Sequence, residues 1–295
     1  TIEEEGDLSA YTVNSSVSYF KPNPILYVAN IAAGPDMDVS DLLQRYLDAA
    51  GQTGGIVYLP AGHYRIDRPL TVPAGVELRG SSCVPTRDQY STSAGTMIYS
   101  YRTSLIENTN DFKQAGSDND QIALITLSGD HAGLSGLRIL FPGNTSDKSF
   151  RTDYAVRGLA NGHYIVNCAI VAASHGVDFG QCNDYFIQKL ITGTWDTGMR
   201  LGGKGGHVEG CLQNGTTVCR NGLDAAHKPF GEHELFEKFF GHTKANLFYI
   251  VIVNAEDLTL HNTFAFGART HFKLDQSKNI LAINFGSDGM GTGAM

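Results

Sequence analysis

No stretch of the 295-residue chain reaches the run of about 18 apolar residues that a membrane-spanning helix needs, so no span is expected. Positive charge is scarce as well. Twenty-two Lys and Arg against 30 Asp and Glu leave a net charge of -8 with no basic run, which argues against nucleic acid or an anionic membrane as a partner. The five cysteines (Cys83, Cys168, Cys182, Cys211, Cys219) are odd in number and lack metal-ligand spacing, which excludes a disulfide framework. Cys168 and Cys211 fall at or beside apolar positions and are expected as core thiols. No His-x-x-x-His pair has a third ligand at zinc spacing, so neither a metal nor a cofactor is expected. No signal peptide is present, and Thr1 is not an initiator residue, so a leader removed by processing remains compatible with the chain.

What the chain does have is a repeat. Three similar segments follow one another between Tyr154 and Asn214, and aligning Val156, Val177 and Met199 gives spacings of 21 and 22 residues. Each opens on an apolar–polar–apolar triplet, such as Val177-Asp178-Phe179 or Met199-Arg200-Leu201, then makes a small turn and two more short apolar stretches. Alternation at period two argues strand, and self-similarity at this period argues a repeat architecture. A unit of this length with three short strands is one coil of a parallel β-helix, in which stacked coils about 4.8 Å apart pair every strand with the next. The triplets Val76-Glu77-Leu78, Ile125-Thr126-Leu127, Val251-Ile252-Val253 and Phe272-Lys273-Leu274 are assigned to the same position, which extends the solenoid over most of the chain. An antiparallel sandwich also alternates, but turns back every 8 to 12 residues. The 34 glycines suit a fold with many tight bends.

Taken in order, residues 1–30 read as an arm or linker, 31–286 as one β-helix domain, and 287–295 as a glycine-rich tail after which the chain is open to continue. A helix is expected over residues 36–50, capped by Asp38 or Ser40, with Leu42, Leu43, Tyr46 and Leu47 on one face. Residues 83–121 and 143–153 read as loops. The largest insertion spans 217–245, with a short helix over Glu232–Phe240 that packs through Leu235, Phe236, Phe239 and Phe240. Within it, Glu232-His233-Glu234 reads as a solvated loop segment rather than a metal site. Asn167, Gln188, Glu209 and His261 are read as a structural ladder near a corner.

One stretch carries a family resemblance. A helix ending in Ala49-Ala50-Gly51 is followed by Gly54-Gly55-Ile56-Val57-Tyr58-Leu59-Pro60-Ala61-Gly62-His63-Tyr64, and then by Leu70-Thr71-Val72-Pro73-Ala74-Gly75-Val76-Glu77-Leu78-Arg79-Gly80. This resembles the N-terminal opening of the pectate-lyase-like β-helix superfamily, in which an amphipathic helix covers the open end of the first coil. The resemblance covers Asp36–Ser82 closely and the later coils in pattern. It implies an all-β, right-handed parallel β-helix and a class of proteins that mostly cleave or rearrange polysaccharides. It transfers no catalytic residue, because the fold hosts several chemistries. Neither the aspartate motifs of polygalacturonases nor the calcium-binding aspartates of pectate lyases are present.

The chemistry is sought on the outward position of the repeated triplet, which reads Glu77, Thr126, Arg157, Asp178, Arg200, Ile252, Lys273. Stacking sets Asp178 between two guanidinium groups, about 5 Å from each neighbouring coil. An ionised, positioned carboxylate suits a nucleophile, a general base or an acceptor for sugar hydroxyls. Asp196, in the turn beside Trp195, is the candidate general acid, and Trp195 the candidate platform for a sugar face. Glycoside hydrolysis needs two carboxylates about 5–5.5 Å apart when retaining and roughly 6.5–9.5 Å when inverting. Arg157, His175, Trp195, Arg200, His271 and Lys273 are the candidate glycan-binding residues. The same column also reads as an ion-pair ladder that balances charge across a sheet.

Three functions therefore stand. The first is a glycoside hydrolase acting on a poly- or oligosaccharide along the β-helix surface, extracellular or at the cell surface. The second is a polysaccharide lyase in which the cations neutralise a uronate. The third is a non-catalytic glycan-binding or structural subunit, with a further domain or subunit covering the C-terminal end of the solenoid.

Overall fold

The computed structural model describes residues 25–31, 37–81, 95–101, 123–142, 144, 154–215 and 232–291, with 232–236 through their backbone alone. The expectations for residues 1–24, for the loops over 83–94, 102–121, 143 and 145–153, for the insertion over 217–231, and for 292–295 lie outside the described residues.

The strands form three parallel sheets of nine, seven and eight members, and each full coil contributes one strand to each sheet. The chain is a right-handed parallel β-helix. Its register is the one the repeat demands: Val156 pairs with Val177, and Val177 with Met199. The inward side chains of successive coils stack into one continuous core, in which Ile125, Val156, Val177, Met199 and Ile250 are fully buried. Cys168, Cys182 and Cys211 are free and buried, and burial pushes the Cys211 thiol up to about 12.

The corners explain where the polar residues fall. Between the nine- and eight-stranded sheets, Asn167, Lys189, Gly210, Asn262 and Asn284 all adopt positive φ, between 50° and 65°. The left-handed conformation costs about 1–2 kcal/mol for most L-residues, which favours Asn and Gly at such a corner. Asn284 donates to Asn262 along this ladder. The expected ladder of Asn167, Gln188, Glu209 and His261 is corrected by one position, because Val166 pairs with Gln188, Gln188 with Glu209 and Glu209 with His261 inside the sheet, while Asn167 is already in the turn. At the corner leaving the seven-stranded sheet, side-chain oxygens bridge coils. Asp130 accepts from the Asn161 amide at 2.9 Å, Asn161 from the Asn183 amide at 2.9 Å, and Asn183 from the Lys204 amide at 2.8 Å.

The first helix is Ser40–Gly51, starting four residues later than expected. Its N-cap is Val39 with no side-chain cap, not Asp38 or Ser40 as expected, although the Asp38 carboxylate just ahead of it accepts the Ser40 amide at 2.9 Å. Leu43, Leu47 and Ala50 are buried over the first coil, with Leu42 and Tyr46 packed against it. The second helix runs over Glu232–Asn246, six residues beyond its expected end. Its Phe239 is buried on a second apolar cluster with Met97, Tyr99, Leu140 and Trp195, on the outer face of the eight-stranded wall. Two strands cross the expected boundaries: Leu26–Val28 pairs with Gly55–Leu59, and Gly286–Asp288 extends the eight-stranded sheet.

Two triplet assignments are corrected. Glu77 belongs to the nine-stranded sheet, where it pairs with Ile56 and Gly133, and Thr71 pairs with Thr126 in its stead. Val251, not Ile252, is level with Arg200 and Lys273.

Candidate functional site

The outer column of the seven-stranded wall reads Thr71, Thr126, Arg157, Asp178, Arg200, Val251, Lys273. Period-two alternation puts Val177 and Phe179 in the core and leaves Asp178 facing out. Asp178 is nonetheless only 4 % exposed, because its neighbours close over it. Its Oδ1 accepts the Arg200 Nη1 at 3.0 Å and the Gly180 backbone amide at 2.9 Å. Its Oδ2 faces the Arg157 Nε at 3.7 Å, beyond hydrogen-bond length. The carboxylate is thus fixed through one oxygen, while the other faces Arg157 without a hydrogen bond.

Gly180 is part of the site that the sequence reading missed. The signal was available: an aspartate two residues before a glycine at a strand end is the pattern in which the side chain caps the following turn. A side chain at this position would also displace Arg200. A Cβ there would lie 2.2 Å from the Arg200 Nη1, where the guanidinium crosses to reach Asp178.

The remaining candidates separate. Asp196 is not beside Asp178. It lies at the corner before Thr197, and Thr197 is level with His175. Four strand residues therefore separate Asp196 from the level of Asp178, about 13 Å at ~3.3 Å per residue, beyond either hydrolase spacing. Its Oδ1 instead meets the His242 Nε2 at 2.8 Å, tying the second helix to the corner. Trp195 is no sugar platform: it is buried, with Phe239 at 4.4 Å and His242 at 5.5 Å between ring centroids. The helix that covers it left no periodic trace in the strand sequence.

His271 is likewise a core residue. It is fully buried between Thr263 Oγ1 at 3.1 Å and Ser287 Oγ at 2.9 Å, and burial holds its pKa near 4. His175 stays at the leading edge of the wall, its ring 5.1 Å from that of Tyr154. Lys273 is exposed, with Nζ 4.9 Å from the Phe248 ring centre and Arg269 on the same ring at 5.3 Å. It stands three coils from Asp178, about 14 Å away. The structure therefore brings together Arg157, Asp178 and Arg200, with Lys273 farther along the same column. Among the described residues no three His, Cys, Asp or Glu side chains converge as a metal site, and no helix is long and apolar enough to cross a membrane.

Residues 30–224 match the family model described as rhamnogalacturonase A/epimerase, pectate lyase-like. No curated protein matches the chain. Among solved structures, the catalytic unit of a GH87 alpha-1,3-glucanase from Streptomyces thermodiastaticus is similar with a TM-score of 0.59 and 17 % identity, over 94 % of this chain and 43 % of the other. A polygalacturonase from Erwinia carotovora matches at 0.45 and 12 %, over 92 % and 82 %. A tailspike capsular polysaccharide depolymerase from Acinetobacter baumannii bacteriophage Fri1 matches at 0.40 and 16 %, over 87 % and 57 %. The chain spans less than half the length of the glucanase it matches. At these identities the likeness is one of fold.

Proposed function

This chain belongs to the rhamnogalacturonase A/epimerase, pectate-lyase-like family, and from that premise we propose that it is a carbohydrate-active enzyme cleaving glycosidic bonds of an acidic poly- or oligosaccharide on the outer face of the seven-stranded wall. The observation that carries the reading is the Arg157–Asp178–Arg200 unit, a fixed carboxylate between two cations on consecutive coils. In this reading the reaction is hydrolysis, with Asp178 as the general base. Arg200 and the Gly180 amide hold Oδ1, which orients the carboxylate, and Oδ2 takes the proton of the attacking water. Arg157, Arg200 and Lys273 bind acidic groups of the glycan, and His175 lines the edge of the wall. A working site outside the cell or at its surface fits a polymeric glycan.

The proton donor to the leaving sugar is not Asp196, given its distance. Asp147, Asp153 and Asp224 are carboxylates of segments outside the described residues, and Asp→Asn exchange at each is the way to find the acid. Asp178→Asn is expected to lower turnover on an acidic-glycan panel by ~100-fold or more, the usual scale for a positioned base. Unchanged release of reducing ends would remove the assignment.

A second reading, elimination from a uronate-containing glycan, is favoured by the excess of cations, three on the column against one carboxylate. Absorbance near 235 nm decides between the two, since only elimination leaves an unsaturated product.

A further inference from the structure

Arg65, Arg79, Arg157 and Arg200 each lie against a carboxylate. Arg138 does not. It sits on the strand Leu137–Leu140 of the eight-stranded wall, where Ile139 points into the core and Arg138 points out. It is only 3 % exposed, yet among the described residues it forms no ion pair, and its buried Nε has no hydrogen-bond partner. Its ladder neighbours are Met97 on one coil and Ala169 on the next. Leu140, two positions on, is flanked by Tyr99 and Val171. A guanidinium buried in such apolar surroundings with no counter-charge among the described residues is strongly unfavourable, and a bound anion would answer it.

We propose that Arg138 anchors a binding site for a small carboxylate on the outer face of the eight-stranded wall, separate from Asp178 and independent of the reaction proposed there. The planar guanidinium takes a carboxylate side-on, across Nε and one Nη, which gives the unpaired N–H its acceptor. Met97, Leu140 and Tyr99, all buried, supply an apolar and aromatic border. This suits a compact organic acid.

The test uses thermal unfolding of the full chain at constant ionic strength, with acetate, D-galacturonate, sulfate or chloride as the added anion. Wild type is expected to show a saturable rise in Tm with acetate and galacturonate above that with chloride. Arg138→Met is expected to lose the rise and, without ligand, to melt no lower than wild type, since the change removes an unanswered charge. In wild type, the Arg138 Nε–H resonance, identified by its loss in Arg138→Lys, is expected to shift on titration with either acid, so the test does not hang on a variant that folds. Three results would overturn the proposal. One is a carboxylate response no larger than that to chloride. Another is an equal response to sulfate, which would remove the carboxylate assignment. The third is an Arg138→Met protein that melts several degrees lower whatever the anion, because the charge would then be answered within the chain.

Discussion

Two buried histidines make stability depend steeply on pH between about 6.5 and 4. His163 is fully buried. Its Nε2 accepts the Ala160 amide at 3.0 Å, which leaves the proton on Nδ1, facing the Ala132 carbonyl at 3.3 Å. His271 is fully buried between two hydroxyls. Burial is the largest cause in both, and it lowers each pKa from 6.5 to about 4. The folded protein therefore keeps both rings neutral while the unfolded chain takes up protons. The stability is whole above pH 6.5, falls as pH drops towards 4, and levels off below. A shift of that size, at about 1.4 kcal/mol per pKa unit, removes about 3 kcal/mol for each ring, a large share of a typical 5–15 kcal/mol total. Urea denaturation at pH 7, 6, 5 and 4.5 is expected to give a slope approaching ~2.7 kcal/mol per pH unit in the middle of this window, two protons' worth. His271→Gln is expected to halve that slope, and His163→Gln combined with it to flatten the profile. The acidic groups whose pKa is lowered, Asp38, Glu256 and Asp257, start from 3.8 to 4.5 and act at the low end of this range and below it. A double variant that keeps the wild-type slope would refute the assignment.

Two further substitutions test the solenoid's packing and corners. Gly133→Ala places a methyl 2.2 Å from the Tyr164 ring, which is pinned by its hydroxyl donating to Glu77 at 2.8 Å, and is expected to cost about 1–3 kcal/mol by chemical denaturation. Lys189→Gly relieves a residue at φ 51° in the left-handed corner, and is expected to stabilise by up to ~1 kcal/mol; a clear loss in Tm would contradict the strain argument.

The repeat was legible where coils follow one another without interruption. Val156, Val177 and Met199 could be aligned because the corners between them are short and constant in length. The reading slipped where that constancy ends. Val251 and Ile252 are exchanged in the sequence reading because the insertion breaks the count and the last step, from Val251 to Lys273, is 22 residues rather than 21. Glu77 was misplaced because an apolar–polar–apolar triplet marks any outward-facing strand and does not say which wall it belongs to. The site was half legible. Arg157, Asp178 and Arg200 came together because one coil spacing fixes them. Asp196 and Trp195 did not join them, because spacing along the chain does not show distance along a strand or burial beneath a distant helix. Arg138 passed unnoticed inside an apolar run, since its buried Nε, without a hydrogen-bond partner among the described residues, is visible only once the other coils surround it.

The account rests on Asp178 as the working group of a wall whose cations hold the glycan. The most direct measurement is calorimetric binding of an acidic oligosaccharide to Asp178→Asn alongside its turnover on the same compound. The account predicts binding retained within a few-fold of wild type and turnover all but gone. Turnover at the wild-type rate, with binding intact, would contradict it.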